Sequence, residues 1–359
     1  MTDKLPKGFH WLTVTDVRKE TEHATSVAFE LPDDLKETFA FRPGQYLALM
    51  KEIDGEAIRR PYSICVAPGD GELRVCSKHL PGGAMSSFIN EQLQVGEKIA
   101  VRLPMGRFCL DTDNATSEHF VFIAAGSGVT PVLSHIKHLL TQTDANITFF
   151  FGNRARTDII FRDALLDLKN KYLGRLSVHH VLSRESREAP IFEGRLTEEK
   201  VGDLVSTFCD AANVAKFLIC GPQEMMENAR SALLSLGVEE DHILMESFGS
   251  YEKQAPPPLT KSAKTGDAAR TKITLFGEET ELDVPFDKPI IDIALAAGLD
   301  VPFACRGGVC CTCKARLIEG EVAMAVNYGI EPDEIERGFI LTCQAHPRSA
   351  KLVVDYDAV

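Results

Sequence analysis

The sequence lacks the features that mark membrane-spanning or nucleic-acid-binding chains. No window approaches the roughly eighteen apolar residues of a membrane span, and the start, Met1–Pro6, has no apolar signal-peptide core. Positive charge is scarce, since 39 Lys and Arg stand against 52 Asp and Glu, for a net charge of −13. Nucleic-acid binding requires a basic face, so this balance argues against a nucleic-acid partner.

The sequence also has no internal repeats or low-complexity tracts, and its ten His residues are scattered, so we expect no catalytic dyad. Cysteine, by contrast, is plentiful, with ten residues. Six lie singly, mostly in apolar runs, which favours the reducing cytoplasm over a secreted disulfide scaffold. These six are Cys65, Cys76, Cys109, Cys209, Cys220 and Cys311.

The other four cysteines form the strongest motif in the chain. Cys305, Cys310 and Cys313 have C-x4-C-x2-C spacing, and Cys343 follows thirty residues later. This is the spacing of plant-type [2Fe–2S] ferredoxins. Gly307 and Gly308 lie in the loop, where glycine lets the backbone curl around a core and point N–H groups at sulfur.

Zinc or inert thiols are the alternatives for these cysteines. Zinc ribbons usually have two short C-x2-C pairs, and only one is present here, so we favour the iron–sulfur cluster. Cys311 stands where a small non-ligating residue is usual. It is either a bystander or a source of an alternative thiolate or an oxidation site.

The first third of the chain predicts an antiparallel β-barrel, because short alternating strands are separated by Gly, Pro and Asp. The predicted strands are Trp11–Val17, Ala24–Glu30, Tyr46–Ile53, Arg60–Val66, Leu73–His79 and Lys98–Leu103. Three of its segments suit a phosphorylated aromatic cofactor. Arg60 supplies a fixed positive charge, Tyr62 a stacking ring and Ser63 a hydrogen bond. Gly83 and Ser86 open a short predicted helix, which suits a pyrophosphate. The third segment is the turn Phe41–Tyr46.

From about His119 the pattern changes to that of a parallel α/β sheet. The apolar run Phe120–Ala125 leads into the Gly-rich turn Gly126–Pro131 and then a helix, as in dinucleotide-binding folds. Pro131 replaces the third glycine of that motif but still permits a helix start. Cys220 ends a later strand, and it is either a small buried side chain or lies against the nicotinamide ring.

Several polar side chains follow strands at the predicted ligand-binding edge of this sheet. They are Arg154, Arg156, Ser183 and Arg184. A cluster of arginines there suits a 2′-phosphate and hence NADPH over NADH, although ordinary solvated arginines are the alternative.

The remaining sequence predicts a tether and a third domain. We place the boundaries at 1–113 for the barrel, 114–249 for the NAD(P)-binding domain, 250–270 for the linker and 271–359 for the ferredoxin-like domain. The last domain is predicted to begin with a hairpin of Thr271–Phe276 and Thr280–Val284. Residues 271–359 carry 8 Lys and Arg against 15 Asp and Glu. This acidic domain is either steered onto a basic partner surface or simply soluble.

These motifs, in this order, resemble the ferredoxin–NADP reductase superfamily with a plant-type ferredoxin domain fused at the C-terminus. The segments 313–322, 324–328, 339–344 and 151–154 are most similar to reductases that serve phenylacetyl-CoA epoxygenases. Reductases of Rieske-type steroid hydroxylases and of hybrid-cluster protein share the domain order. The resemblance implies three folded parts: an antiparallel β-barrel, an α/β parallel-sheet domain and an α+β β-grasp domain.

The resemblance also implies cofactors and the residues that hold them. FAD would contact Arg60, Tyr62, Ser63, Val75, Ser77, Gly83, Ser86 and Phe248. The pyridine nucleotide, NADPH with NADH possible, would contact Gly126, Gly128, Thr130, Arg154, Ser183, Arg184 and Cys220. The [2Fe–2S] cluster would be held by Cys305, Cys310, Cys313 and Cys343.

The implied activity is electron transfer from NADPH through FAD and [2Fe–2S] to an oxygenase component. The flavin is needed because nicotinamide releases two electrons together, whereas the cluster accepts one at a time. The resemblance implies that the acceptor is a di-iron epoxidase complex of phenylacetate degradation. A redox sensor that does not turn over electrons is the competing class.

Overall fold

The computed structural model describes residues 5–111, 117–248 and 268–358. It divides into two compact units. One comprises residues 8–247, and the other contains the described residues from 248 onward together with residues 5–7. Among the described residues, no helix is long and apolar enough to cross a membrane.

The first part of the larger unit is an antiparallel barrel. Its strands are β1 (Phe9–Thr21), β2 (Ala24–Phe29), β3 (Tyr46–Ile53), β4 (Glu56–Ser63), β5 (Leu73–Lys78) and β6 (Lys98–Arg102). They pair in the order β4-β3-β6-β1-β2-β5. A bridge between Ile64 and Val75 joins the two ends of this order and closes the barrel around an apolar core. The short helix α1 (Ala84–Ser87) follows β5 and continues as a π-helical turn over Phe88–Gln92.

The second part is a parallel sheet covered by helices. The elements are β7 (His119–Ala125), α2 (Val129–Gln142), β8 (Asn146–Asn153), α3 (Arg162–Lys171), β9 (Leu176–Leu182), α4 (Glu198–Phe208), β10 (Val214–Gly221), α5 (Gln223–Ser235) and β11 (Ile243–Ser247). The strand order is β11-β10-β7-β8-β9, and every pairing is parallel. The order reverses at β7, so the carboxyl ends of β7 and β10 flank the crevice where such sheets bind ligands.

Helix α2 fastens the sheet to the barrel. The Ser134 hydroxyl donates to the Val66 carbonyl at 2.6 Å, and His135 Nε2 lies 2.8 Å from the Phe108 carbonyl oxygen. Burial lowers the pKa of His135 to about 4, so this imidazole is neutral and donates its N–H. These contacts hold the two parts together as one unit.

The smaller unit is an α+β fold with one mixed sheet. Its elements are β12 (Ala268–Leu275), β13 (Glu278–Pro285), α6 (Ile290–Ala296), β14 (Lys314–Glu319), β15 (Val322–Met324), α7 (Pro332–Glu336), β16 (Phe339–Leu341), β17 (Ala345–Pro347) and β18 (Lys351–Asp355). The sheet order is β13-β12-β18-β14-β16, with β12 and β18 parallel, and β15 pairs with β17. Helix α6 packs on this sheet, and the segment between α6 and β14 carries three of the four motif cysteines.

The linker predicted at residues 250–270 lies outside the described residues, except at its end. Residues 268–270 belong to β12, which therefore begins three residues earlier than the hairpin predicted from the sequence. The reason is pairing: Ala268, Ala269 and Arg270 continue the ladder with β13, and Ala269 is fully buried.

Candidate functional site

The predicted FAD contacts on β4 and β5 lie together at one end of the barrel. Tyr62 is half-buried, and burial raises the pKa of its phenol to about 12, an effect that Ser77 and Arg60 partly offset. The Ser77 hydroxyl is buried beside this phenol yet has no hydrogen bond of good geometry. A buried, unsatisfied hydroxyl next to an aromatic ring and a guanidinium fits the polar edge and phosphate of a flavin nucleotide.

Three other predicted FAD contacts have different surroundings. The Ser86 hydroxyl accepts a hydrogen bond from the Leu80 N–H at 3.1 Å and donates one to the Gly83 carbonyl at 2.9 Å, so it stabilises its own loop. A Cβ on Gly83 would lie 2.6 Å from the Ser86 oxygen, which requires a bare backbone there. Val75 packs into the barrel core. The Gly83 N–H donates to the Leu80 carbonyl at 2.9 Å, so Gly83 supplies the tight turn at which α1 begins.

The Gly-rich turn at the end of β7 is tightly constrained. Gly126 has a left-handed φ of +55°, and a Cβ on Gly128 would overlap the Cys220 carbonyl oxygen of β10. The Thr130 hydroxyl is buried and donates to the Ser127 carbonyl at 2.9 Å, so it closes the first turn of α2. The turn therefore offers backbone N–H groups at the N-terminus of α2, where a dinucleotide phosphate binds in this fold class.

Lys78, the last residue of β5, was not predicted from the sequence as a site residue. Its Nζ atom lies 3.2 Å from where a Cβ of Gly126 would be. Burial and the nearby Arg154 lower its pKa, an effect that Asp158 partly offsets, and among the described residues no carboxylate lies within ion-pair distance of its ammonium. A half-buried cation that faces another cation and a phosphate-binding turn suits an anionic ligand.

Glu246, on β11, is a second residue that the sequence analysis missed. The Ser63 hydroxyl donates to its carboxylate at 3.5 Å, and burial raises the pKa of Glu246 to about 8. Cys220 is fully buried near this carboxyl, and burial raises the pKa of its thiol well above the ordinary value. The barrel and the parallel sheet thus bring a hydroxyl, a mostly protonated carboxyl and a neutral thiol together. Phe248 follows β11 directly and is half-buried.

The predicted 2′-phosphate residues lie on two loops that are joined to each other. The Ser183 N–H donates to the Asn153 carbonyl at 3.0 Å, and the Arg184 N–H donates to the Arg154 carbonyl at 2.8 Å. Arg154, Arg156, Ser183 and Arg184 are all exposed. They form a positively charged edge beyond the carboxyl ends of β8 and β9, which can accept an anion from solvent.

The four motif cysteines form two adjacent pairs in the smaller unit. The thiols of Cys305 and Cys310 interact with each other, as do those of Cys313 and Cys343. In each pair the interaction lowers the pKa of one thiol, Cys310 or Cys343, and raises that of the other. Two thiols for each of two irons is the donor set that a [2Fe–2S] cluster requires.

The arrangement of these sulfur atoms separates the cluster from zinc. A zinc ion with ligands at about 2.3 Å would draw four sulfurs to within roughly 4 Å of one another. Within the described ranges, no three of the four sulfurs lie within 4.8 Å of one another. The donor set therefore fits a two-iron core better than a single tetrahedral ion.

Backbone N–H groups surround the sulfur atoms. Gly307 N and Cys310 N both donate to Cys305 Sγ at 3.3 Å, and Cys305 N donates to Cys310 Sγ at 3.3 Å. These donors stabilise negative charge on the thiolates. The Cys311 thiol instead donates to the Gly329 carbonyl at 2.7 Å, which links the cysteine-rich loop to the segment around Gly329. The sequence alone left the role of Cys311 open.

Family models match three consecutive parts of the chain. An oxidoreductase FAD-binding domain matches residues 12–109, an oxidoreductase NAD-binding domain matches residues 122–231, and a 2Fe-2S iron-sulfur cluster binding domain matches residues 273–348. Together these models cover the barrel, the parallel sheet and the four-cysteine fold described above.

Relatives match over nearly the whole chain. The chain is 37% identical to one of the subunits of 1,2-phenylacetyl-CoA epoxidase from Escherichia coli (strain K12), over 98% of each chain. It is 32% identical to the ferredoxin reductase component of 3-ketosteroid-9-alpha-monooxygenase from Rhodococcus rhodochrous, over 96% of each. The solved structure of phthalate dioxygenase reductase has the same fold, with a TM-score of 0.61 at 21% identity, over 97% of this chain and 98% of that one.

Proposed function

The chain belongs to the family of reductase components of multicomponent oxygenases that carry FAD, a pyridine nucleotide and a [2Fe–2S] cluster, and we propose that it passes electrons from NADPH to a di-iron epoxidase acting on phenylacetyl-CoA. The observation that supports this acceptor most directly is the 37% identity to a component of the Escherichia coli epoxidase, which extends through all three domains.

We assign the FAD contacts to the barrel. Arg60 would balance phosphate charge, Tyr62 would stack on the ring system, and the Ser63 hydroxyl would hydrogen-bond to its polar edge. Val75 and Ser77 would line the ribityl side. The turn at Gly83 and Ser86, where α1 begins, would lie against the pyrophosphate. A bound flavin supplies the conversion of a two-electron hydride into single electrons.

We assign the nucleotide contacts to the edge formed by β7 to β10. The turn at Gly126 and Gly128 and the ammonium of Lys78 would hold the pyrophosphate. The exposed guanidiniums of Arg154 and Arg184, with the Ser183 hydroxyl, would hold the 2′-phosphate and select NADPH over NADH. Bound NADPH would supply the hydride, and a cluster held by the four cysteines would accept the electrons one at a time.

We assign the cluster to Cys305, Cys310, Cys313 and Cys343, and the functional boundaries to 1–113, 114–249, 250–270 and 271–359. The structure describes all ten cysteines, and none of them forms a disulfide. This fits a reducing compartment, and we place the reaction in the cytoplasm.

A second candidate acceptor is a steroid monooxygenase, because the Rhodococcus relative is 32% identical over 96% of its length. A hybrid-cluster protein is a further candidate acceptor on shared domain order alone. A sensor role without turnover is less favoured, since a complete nucleotide edge and four paired thiols are both present.

Parallel assays would decide between the two acceptors. The reductase and NADPH would be combined with purified phenylacetyl-CoA epoxidase components and phenylacetyl-CoA, or with a 3-ketosteroid 9α-monooxygenase component and its steroid. We expect coupled NADPH oxidation only with the epoxidase. Coupling only with the steroid enzyme would contradict the acceptor, and coupling with neither would contradict the assignment to oxygenases of these two kinds.

The NADPH preference has its own test. Arg184→Ala should raise the KM for NADPH about tenfold and change the KM for NADH little, because a charge-assisted contact to the 2′-phosphate is lost. Arg162→Ala is the matched control, since Arg162 pairs with Asp163 on α3. Equal changes in both KM values would contradict the assignment.

A further inference from the structure

Gln344 directly follows the cluster cysteine Cys343 and is buried, with 9% of its surface exposed. Its side-chain Nε2 atom donates a hydrogen bond to the Arg306 carbonyl at 2.8 Å and lies 3.7 Å from Cys343 Sγ, within hydrogen-bond range for sulfur. One amide nitrogen with two N–H groups therefore has two acceptors, one on the cysteine-rich loop and one on the distant cysteine.

The other donors to Cys343 and to the Cys305–Cys310 pair are mostly backbone groups. Gly308 N donates to Cys343, and Gly307 N and Cys310 N donate to Cys305. Backbone donors are fixed by the loop conformation. Gln344, like the Thr312 hydroxyl that donates to Cys310, is different because its donor belongs to a side chain, so the residue type at this position decides whether the contact exists.

The Arg306 carbonyl, which accepts a hydrogen bond from Gln344, belongs to an unusual backbone segment. Arg306 has a left-handed φ of +54°, which is unfavourable for a residue with a Cβ. Its carbonyl orientation is held by the Gln344 amide, and the adjacent Gly307 and Gly308 supply sulfur donors. Gln344 thus both contacts a cluster sulfur and fixes the loop that contacts the others.

We propose that Gln344 is a positioning residue that sets the reduction potential of the [2Fe–2S] cluster. This rests on the proposed assignment of the cluster to the four cysteines. Accepting one electron adds one negative charge to the cluster and its thiolates, and an N–H donor to sulfur stabilises that added charge. The electron enters from the flavin and leaves to the oxygenase. The neutral amide neither gains nor loses a proton in either transfer.

The consequence is a bias on electron flow within the protein. With the Gln344 donor, the one-electron equilibrium between flavin and cluster lies further toward the cluster. Without it, the cluster is harder to reduce, and electrons remain longer on the flavin. Gln344 would therefore influence what fraction of the cluster is reduced after each NADPH is oxidised. The cluster is the site from which electrons leave for the oxygenase.

The test is the midpoint potential of the cluster in the full-length holoprotein, measured by anaerobic spectroelectrochemistry with EPR detection. Gln344→Met keeps the length of the side chain and removes both N–H groups, and Gln344→Glu keeps the shape and replaces the donors with an anionic acceptor. We expect a more negative potential in both, larger for Gln344→Glu. For Gln344→Met, a tenfold change in the flavin–cluster equilibrium corresponds to about 59 mV.

Tyr356→Phe is the matched control. It removes a buried hydrogen bond from the Tyr356 hydroxyl to Thr342 Oγ1, 2.8 Å long, that does not end on sulfur. It should lower stability and leave the potential unchanged. If Gln344→Met fails to retain iron, Gln344→Glu, which preserves the packing volume, carries the test.

Unshifted potentials in iron-loaded variants would overturn the role of Gln344, as would an equal shift in Tyr356→Phe. Failure of the proposed function looks different. In that case the unaltered protein itself would contain no iron or acid-labile sulfide and would have no cluster potential to measure.

Discussion

Ser63 and Glu246 are 183 positions apart in the chain, yet their side chains meet where the barrel joins the parallel sheet. Neither a spacing nor a local motif could have indicated this contact, because it depends on how β4 and β11 are placed by the whole larger unit. Ser63 was predicted from its own motif, Arg60–Ser63. Glu246 lies in an ordinary strand sequence and was missed for that reason.

Glu246 leads to a prediction about pH. Its folded-state pKa, about 8, is raised above the ordinary value of 4.5, so the folded protein holds a proton that the unfolded chain has released. The free energy of unfolding should therefore fall as pH rises from about 5 to 8, by roughly 2 to 4 kcal/mol from this group. Urea denaturation at several pH values checks this. In Glu246→Gln the fall should be smaller by that amount, and an identical pH dependence would contradict the raised pKa.

Lys78 gives a second prediction at the scale of single residues. Lys78→Met should raise the KM for both NADPH and NADH by about tenfold, because the cation beside the Gly126 turn would contact a phosphate that both nucleotides share. Steady-state kinetics measure this. Lys137→Met is the control, since Lys137 pairs with Asp70 at 2.8 Å and should leave both KM values unchanged. Selective loss of NADPH alone would place Lys78 at the 2′-phosphate instead.

At the scale of elements, the turn between β7 and α2 is packed against β10. A methyl group on Gly128 would overlap the Cys220 carbonyl, so Gly128→Ala must move α2 or β10. We expect a loss of about 2 kcal/mol or more in the free energy of unfolding, with impaired flavin reduction by NADPH. Chemical denaturation and stopped-flow reduction measure the two effects.

The control for this substitution is Gly202→Ala, in α4, where a Cβ meets nothing within 4 Å. This change should stabilise the protein by about 0.5–1 kcal/mol, because alanine favours helix more than glycine does. If both alanine variants behaved alike, the packing argument for Gly128 would be wrong.

The sequence predicted the elements better than their ends. Alternating apolar residues located β2, β3, β5 and β6 to within about a residue. β4 begins at Glu56 rather than at the predicted Arg60. The reason is that Asp54 and Gly55, with φ of +53° and +81°, form a tight two-residue turn, so β3 and β4 pair from Ile53 and Glu56 onward. The four-cysteine spacing predicted the cluster loop, whereas the two cysteine pairs depend on how β16 and β17 bring Cys343 to it.

At the scale of the whole molecule, the net negative charge acts on a partner at longer range than any direct contact. The ferredoxin segment, residues 271–359, holds 15 Asp and Glu against 8 Lys and Arg. If this charge steers the domain onto the oxygenase, kcat/KM for the oxygenase should fall several-fold as ionic strength rises from low to about 0.5 M, since screening shortens the range of attraction. Flavin reduction at saturating NADPH should change much less. Salt-independent transfer would contradict steering.

The central claim is the order of electron transfer, from NADPH through the flavin to the four-cysteine cluster. Anaerobic titration with NADPH, followed by visible absorbance and EPR, tests it in the full-length protein and in Cys310→Ser. The account predicts that NADPH bleaches the flavin in both, and that the EPR signal of a reduced [2Fe–2S] cluster appears only in the unaltered protein. A cluster signal that persists in Cys310→Ser, or flavin reduction that is lost together with the signal, would contradict it.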